Sequence, residues 1–103
     1  MLRKIAVMTA VGASLAAPAA AQTPDLVRLI AANCANCHGT DGRAQDMKGG
    51  VPALNGVAKG TIVSQIQDFK SGKRAATIMH QISKGYTDAE IDAVAGYFSS
   101  LKK

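Results

Sequence analysis

Cys34-Ala35-Asn36-Cys37-His38 is the stretch on which the reading of this chain turns. It has the form C-x-x-C-H, the attachment signature of a c-type haem. In that chemistry two thiols add across the porphyrin vinyl groups, and the adjacent histidine binds the iron from one side. Other chemistries use the same residue types. A thioredoxin-like redox pair needs a βαβ setting, and no strand-rich half is visible. Structural zinc needs four closed ligands. Cys34, Cys37, His38 and His80 are all the Cys and His present, and Cys37 and His38 are sequence neighbours. A plain disulfide leaves His38 without a role. The expectation is one haem c, covalently attached at Cys34 and Cys37, with His38 on the iron and electron transfer as the task.

The region before the motif reads as a leader. Arg3 and Lys4 make a basic start, Ile5 to Ala17 is apolar and small, and Ala19-Ala20-Ala21 offers an A-x-A cleavage site. Residues 1–21 are expected to be a signal peptide, and residues 22–103 a single domain delivered to the periplasm. The apolar run is too short, and too rich in Ala and Gly, for a stable membrane span; an uncleaved anchor is the competing reading. Export suits the motif, because haem is joined to thiols outside the cytoplasm. A domain of this size has little core to spare. It has no Trp, few aromatics and no Cys outside the motif. A covalently held porphyrin would add the missing apolar mass.

The charge balance is modest. The whole chain is +5, and beyond residue 21 ten Lys and Arg face seven Asp and Glu. With no basic run interleaved with aromatics, nothing points to nucleic acid. A solvated face, or a docking patch for an acidic redox partner, accounts for the excess. There is no serine–histidine–acid triad, phosphate loop or carboxylate pair, and no internal repeat.

Helical signals surround the motif. Thr23-Pro24-Asp25 is a helix start, with a capping threonine, proline at the first position and then an acid. Leu26, Leu29, Ile30 and Asn33 follow at helical spacing and lead into Cys34. Gly39 to Lys59 carries Gly39, Gly42, Gly49, Gly50 and Gly56 with Pro52 among them, and predicts a long loop. A loop that long needs a reason in a compact domain, and wrapping one side of a haem is sufficient. Thr61 can cap a second helix, with Ile62, Val63, Ile66 and Phe69 as its apolar face and Ser71-Gly72 as its stop. Ala76 to Ser83 predicts a short third helix ended by Gly85. Thr87-Asp88-Ala89-Glu90 is a capping box. Behind it Ile91, Val94, Ala95, Phe98 and Leu101 form the apolar stripe of a final helix. Gly96 sits inside that helix despite a penalty of roughly 1 kcal/mol; a close helix crossing or simple tolerance would each explain it. No strand alternation is present, so the fold class is all-α, with three to four helices and glycine-rich loops.

An electron carrier wants its iron closed on both sides. A thioether opposite histidine gives the high-potential ligation of cytochromes c. Beyond residue 21 the methionines are Met47 and Met79. Met47 is nine residues past His38, in the loop expected on the histidine side. Met79 is forty-one residues past it, after a whole helix. Met79 is the expected second ligand, with ordinary core packing beside Ile78 and Ile82 as the bland alternative. His80 is the competing ligand and would give bis-histidine iron. His38 needs an acceptor for its other ring nitrogen; the Val51-Pro52-Ala53-Leu54 stretch is the best source, through the backbone carbonyl of Pro52 and with Leu54 against the porphyrin, and a simple turn proline is the bland alternative. Arg74, Lys73 and Tyr86 are candidate propionate partners by their place in the chain.

The order of capped helix, C-x-x-C-H, glycine loop, helix, methionine and capped final helix resembles the class I cytochromes c across residues 22–103. A narrower resemblance lies in Phe69-Lys70-Ser71-Gly72, Thr77-Ile78-Met79, Ile82-Ser83-Lys84-Gly85-Tyr86 and Ala95-Gly96-Tyr97-Phe98. These are similar to the cytochrome subunit of flavocytochrome c sulfide dehydrogenase. One departure is His80, where a glycine commonly follows the axial methionine. The resemblance implies haem attachment at Cys34 and Cys37 and axial ligation by His38 and Met79. It also implies an FAD-bearing sulfide dehydrogenase partner that passes electrons from flavin to haem, and from there to a soluble acceptor. On this reading the chain does not itself oxidise sulfide. A free periplasmic carrier serving other oxidoreductases or a terminal oxidase is the alternative. A gas-binding haem would require Met79 to be displaceable.

Overall fold

The computed structural model describes residues 11–13, 23–44 and 50–103. The expected signal peptide (1–21), apart from residues 11–13, and Met47 lie outside the described residues. Within them the chain forms four α-helices and one short 3-10 turn and no strand: α1 Pro24–His38, the turn Thr40–Gly42, α2 Lys59–Ser71, α3 Met79–Lys84 and α4 Asp88–Ser100. The all-α expectation holds.

Helix ends follow local chemistry where a cap is present. Leu26 N donates to Thr23 Oγ1 at 3.2 Å, and Pro24 opens α1. At α4 the box closes in both directions: Glu90 N donates to Thr87 Oγ1 (3.1 Å), and Thr87 N donates to Glu90 Oε1 (2.9 Å). Gly72, at φ +80, stops α2.

Two boundaries differ from the sequence expectation. α2 begins at Lys59, so Thr61 lies inside it, and Ala58 precedes it without a side-chain cap. This first turn lies against α4. Lys59 Nζ pairs with Asp92 at 3.0 Å, and the Lys59 stem lies across Gly96. α3 begins at Met79 rather than Ala76. The preceding connection is held back onto α2, where Arg74 N donates to Asp68 O (3.0 Å) and the Arg74 guanidinium sits 4.9 Å from the centre of the Phe69 ring. A six-residue helix is too short to stand alone, and α3 is supported by its packing on α2.

The core joins three helices. Ile30 and Ala31 of α1, Ile62 of α2 and Val94, Ala95 and Phe98 of α4 are buried together, with Cys34 and Leu54 packed against them. Ile91, Val94, Ala95 and Phe98 of the α4 stripe bury as their spacing predicts, while Leu101 lies just past the helix as its C-cap and is half-buried. On α1, however, Leu29 remains 67% exposed while Ala31 is buried, so the buried face is rotated from the one the leucines suggest.

The glycine loop is pinned to α4. Leu54 N donates to Gly42 O and Gly56 N donates to Phe98 O, both at 2.8 Å. Gly42 has φ +70, and a Cβ there would stand 2.9 Å from both Leu54 Cβ and Phe98 Cδ1. Beside it Asp41 adopts φ +54, a left-handed conformation that aspartate tolerates better than most residues. Its Oδ1 accepts from Tyr97 Oη at 3.2 Å. Gly96 has a different basis. A Cβ there would meet only the Lys59 stem at 3.8 Å or beyond. Of the two explanations for Gly96, simple tolerance is the one that fits.

Candidate functional site

α1 gathers the motif. Cys34, Cys37 and His38 fall at i, i+3 and i+4 in its last turns, so they share one face. Both cysteines are free thiols; Cys34 is half-buried and Cys37 exposed. Burial pushes the Cys34 thiol above its ordinary range. The helix ends directly after His38, because Gly39 turns the chain at φ +86 and returns its N–H to Ala35 O. A Cβ on Gly39 would lie 2.7 Å from Arg43 O, so only glycine fits this exit.

His38 is buried, and its Nδ1 lies 2.7 Å from the carbonyl oxygen of Pro52. A carbonyl oxygen can only accept, so Nδ1 carries the proton and Nε2 keeps a lone pair. This is the acceptor expected from the sequence. Leu54, two residues on, packs against the core cluster.

Met79 is half-buried at the first position of α3 and is not on the element that carries the motif. The two regions are tied just beyond α3. Asn33 Nδ2, one residue before Cys34, donates to Tyr86 Oη at 3.4 Å. Lys70 Nζ of α2 donates to Tyr86 O at 2.7 Å. Exposed large apolar side chains lie on or beside these same elements: Leu26 and Leu29 on α1, and Ile78 and Ile82 around Met79.

Of the candidate propionate partners, Arg74 is occupied with Phe69 and Tyr86 with Asn33. Lys73 is exposed. Sequence reasoning missed Lys70, which braces Tyr86, and Ser83, which is fully buried with an unpartnered hydroxyl. No local pattern marks either one, since both depend on how α2 meets α3. Among the described residues no group of three or more His, Cys, Asp and Glu gathers as a metal cluster. A separate open cleft between α1 and α4, lined by Arg28, Asp41 and Tyr97 among others, includes Ala35 of the motif but neither cysteine nor His38.

The donor set fits an iron porphyrin: two thiols one helical turn apart, an oriented imidazole with a free Nε2, and a thioether flanked by apolar side chains. Residues 27–102 match the Cytochrome c family. This chain belongs to the cytochrome c family. Membership implies covalent haem c, and the chain's one C-x-x-C-H makes this cytochrome c a single-haem electron carrier.

Three relatives illustrate the similarity, two of them named for a sulfide or a thiosulfate dehydrogenase. The cytochrome subunit of sulfide dehydrogenase from Chlorobaculum tepidum is 39% identical over 75 residues, covering 73% of this chain and 66% of that protein. Cytochrome c-552 of Acidithiobacillus ferridurans is 43% identical over 66% of this chain and 28% of its own length. A thiosulfate dehydrogenase electron acceptor from Stutzerimonas stutzeri is 38% identical over 66% of this chain and 31% of its own length. The chain thus spans about two thirds of the first of these relatives and about a third of the other two. Among the described residues, no helix of this cytochrome is long and apolar enough to cross a membrane.

Proposed function

We propose that this cytochrome is a periplasmic haem subunit that accepts electrons from a flavoprotein sulfide dehydrogenase. Haem is attached at Cys34 and Cys37, with His38 and Met79 as its axial ligands. Residues 1–21 direct export and are removed, and residues 22–103 form the working domain. The observation that carries the site is the His38–Pro52 hydrogen bond, because it leaves Nε2 as the nitrogen for iron.

The bound haem supplies one-electron chemistry at iron. The chain's own part is to hold and to exclude. Pro52 orients the imidazole and raises its basicity as a ligand. α1 presents both thiols on one face, and Cys34 also anchors that face to the core. Met79 closes the second side against substrate. The exposed Leu29, Ile78 and Ile82 offer an apolar approach for a partner. The sulfide dehydrogenase partner is supported by the name of the Chlorobaculum tepidum relative.

The Stutzerimonas stutzeri relative favours a second reading, a carrier that accepts electrons from a different sulfur dehydrogenase. Co-purification separates the two. With a stoichiometric flavoprotein present, sulfide reduces the cytochrome, and without it sulfide does not. Reduction by thiosulfate with its dehydrogenase, and no flavoprotein in the complex, would overturn the first reading in favour of the second.

A further inference from the structure

Ser83 is 1% exposed, and its Oγ has no hydrogen-bond partner. A buried hydroxyl without a partner is destabilising, and native folds rarely keep one without a use. A helical serine ordinarily satisfies itself on the carbonyl four residues back. For Ser83 that carbonyl belongs to Met79, and the bond is not made. Among the described residues the other buried unpartnered side-chain atom is His80 Nδ1, also on α3. Both unpaired groups therefore sit on the one short helix that Met79 begins.

Helical geometry relates Ser83 to Met79 directly. The two are i and i+4, stacked on one face. A helical side chain lies over the turn N-terminal to its own Cα, which for Ser83 is the turn of Met79. The methionine side chain has three rotatable bonds and can bring its sulfur to that turn. A thioether sulfur has a second lone pair for a weak hydrogen bond when the first is given to a metal.

We propose that in the haem-loaded protein Ser83 is a positioning residue for the thioether ligand, donating to Sδ of Met79 the hydroxyl proton that has no acceptor in this structure. This rests on the reading of Met79 as an axial ligand. The hydrogen bond draws electron density from the sulfur and weakens its donation to ferric iron more than to ferrous iron. It therefore raises the reduction potential. It also limits the rotamers open to Met79 and gives the buried hydroxyl a partner.

The test uses the full haem-loaded protein and two readouts: the midpoint potential, and the sulfur-to-iron absorption band of the ferric form. Ser83→Ala is expected to keep the band but shift it, and to lower the midpoint. Ser83→Thr restores the hydroxyl and is expected to return both toward the original values. Unchanged midpoint and band in Ser83→Ala would overturn the proposal and leave Ser83 a packed residue only. A change in Ser83→Ala that Ser83→Thr does not reverse would assign the effect to packing and overturn it equally. Failure of the underlying reading looks different. The unsubstituted protein would then lack the sulfur band, or Met79→Ala would retain it, and the proposal would fall with that reading.

Discussion

Nδ1 of His38 and the carbonyl oxygen of Pro52 lie 2.7 Å apart, joining the last residue of α1 to the far arm of the glycine loop. The bond settles the imidazole tautomer and ties the loop to the motif. Pro52 also restricts the backbone that presents this acceptor.

Pro52→Gly keeps the carbonyl but frees its φ. The unfolded chain gains conformational freedom, and stability is expected to fall by about 1 kcal/mol. Urea unfolding followed by circular dichroism measures it. An unchanged midpoint would mean that the proline does not pre-set the acceptor.

Gly42→Ala is expected to be far more damaging. The new Cβ would press on Leu54 and Phe98 from 2.9 Å, at a φ of +70 that L-residues resist. Overpacking and the left-handed conformation together cost about 2–4 kcal/mol. The same unfolding measurement reports it, with loss of the cooperative transition as the extreme outcome.

Gly96→Ala should act in the opposite direction. Its Cβ meets only the flexible Lys59 stem at 3.8 Å, inside a regular helix. Stability is expected to rise by up to about 1 kcal/mol. A fall in the thermal midpoint would reveal a close contact at this position after all.

Asp88 connects stability to pH. Gln67 Nε2 donates to its Oδ1 at 2.8 Å and Lys70 Nζ lies at 3.5 Å, and together they hold the carboxyl below its ordinary 3.8. A depressed folded-state value adds stability above the unfolded value and loses it as pH falls through the folded one. The stability difference between the protein and Asp88→Asn should therefore be constant near neutrality and shrink below about pH 4. Parallel denaturation curves across that range check it. A difference that grows on acidification would contradict the sign.

Features held within one turn of chain were legible before any folding was known. Thr23 with Pro24, and Thr87 with Glu90, announced α1 and α4 because their bonds reach only three residues. The stripe from Ile91 to Phe98 announced its own burial. The start of α2 was not legible, because no side-chain cap marks it and Lys59's partner Asp92 lies thirty-three residues away. Leu29 misled for a related reason: spacing shows that a helix has an apolar side, not which neighbour covers it. Gly96 resembled a packing glycine until the arrangement of α2 and α4 showed space beside it.

By itself the sequence determined which residue types the candidate site can draw on. Two thiols and an imidazole within one helical turn, one thioether far downstream and an all-α pattern are properties of residue type and spacing alone. Only the tertiary structure decided which ring nitrogen of His38 is free, because that depends on a carbonyl fourteen residues away across a loop. It alone buried Ser83 without a partner on the helix of Met79, because burial is set by how α3 lies on α2 and leaves no mark in a six-residue stretch.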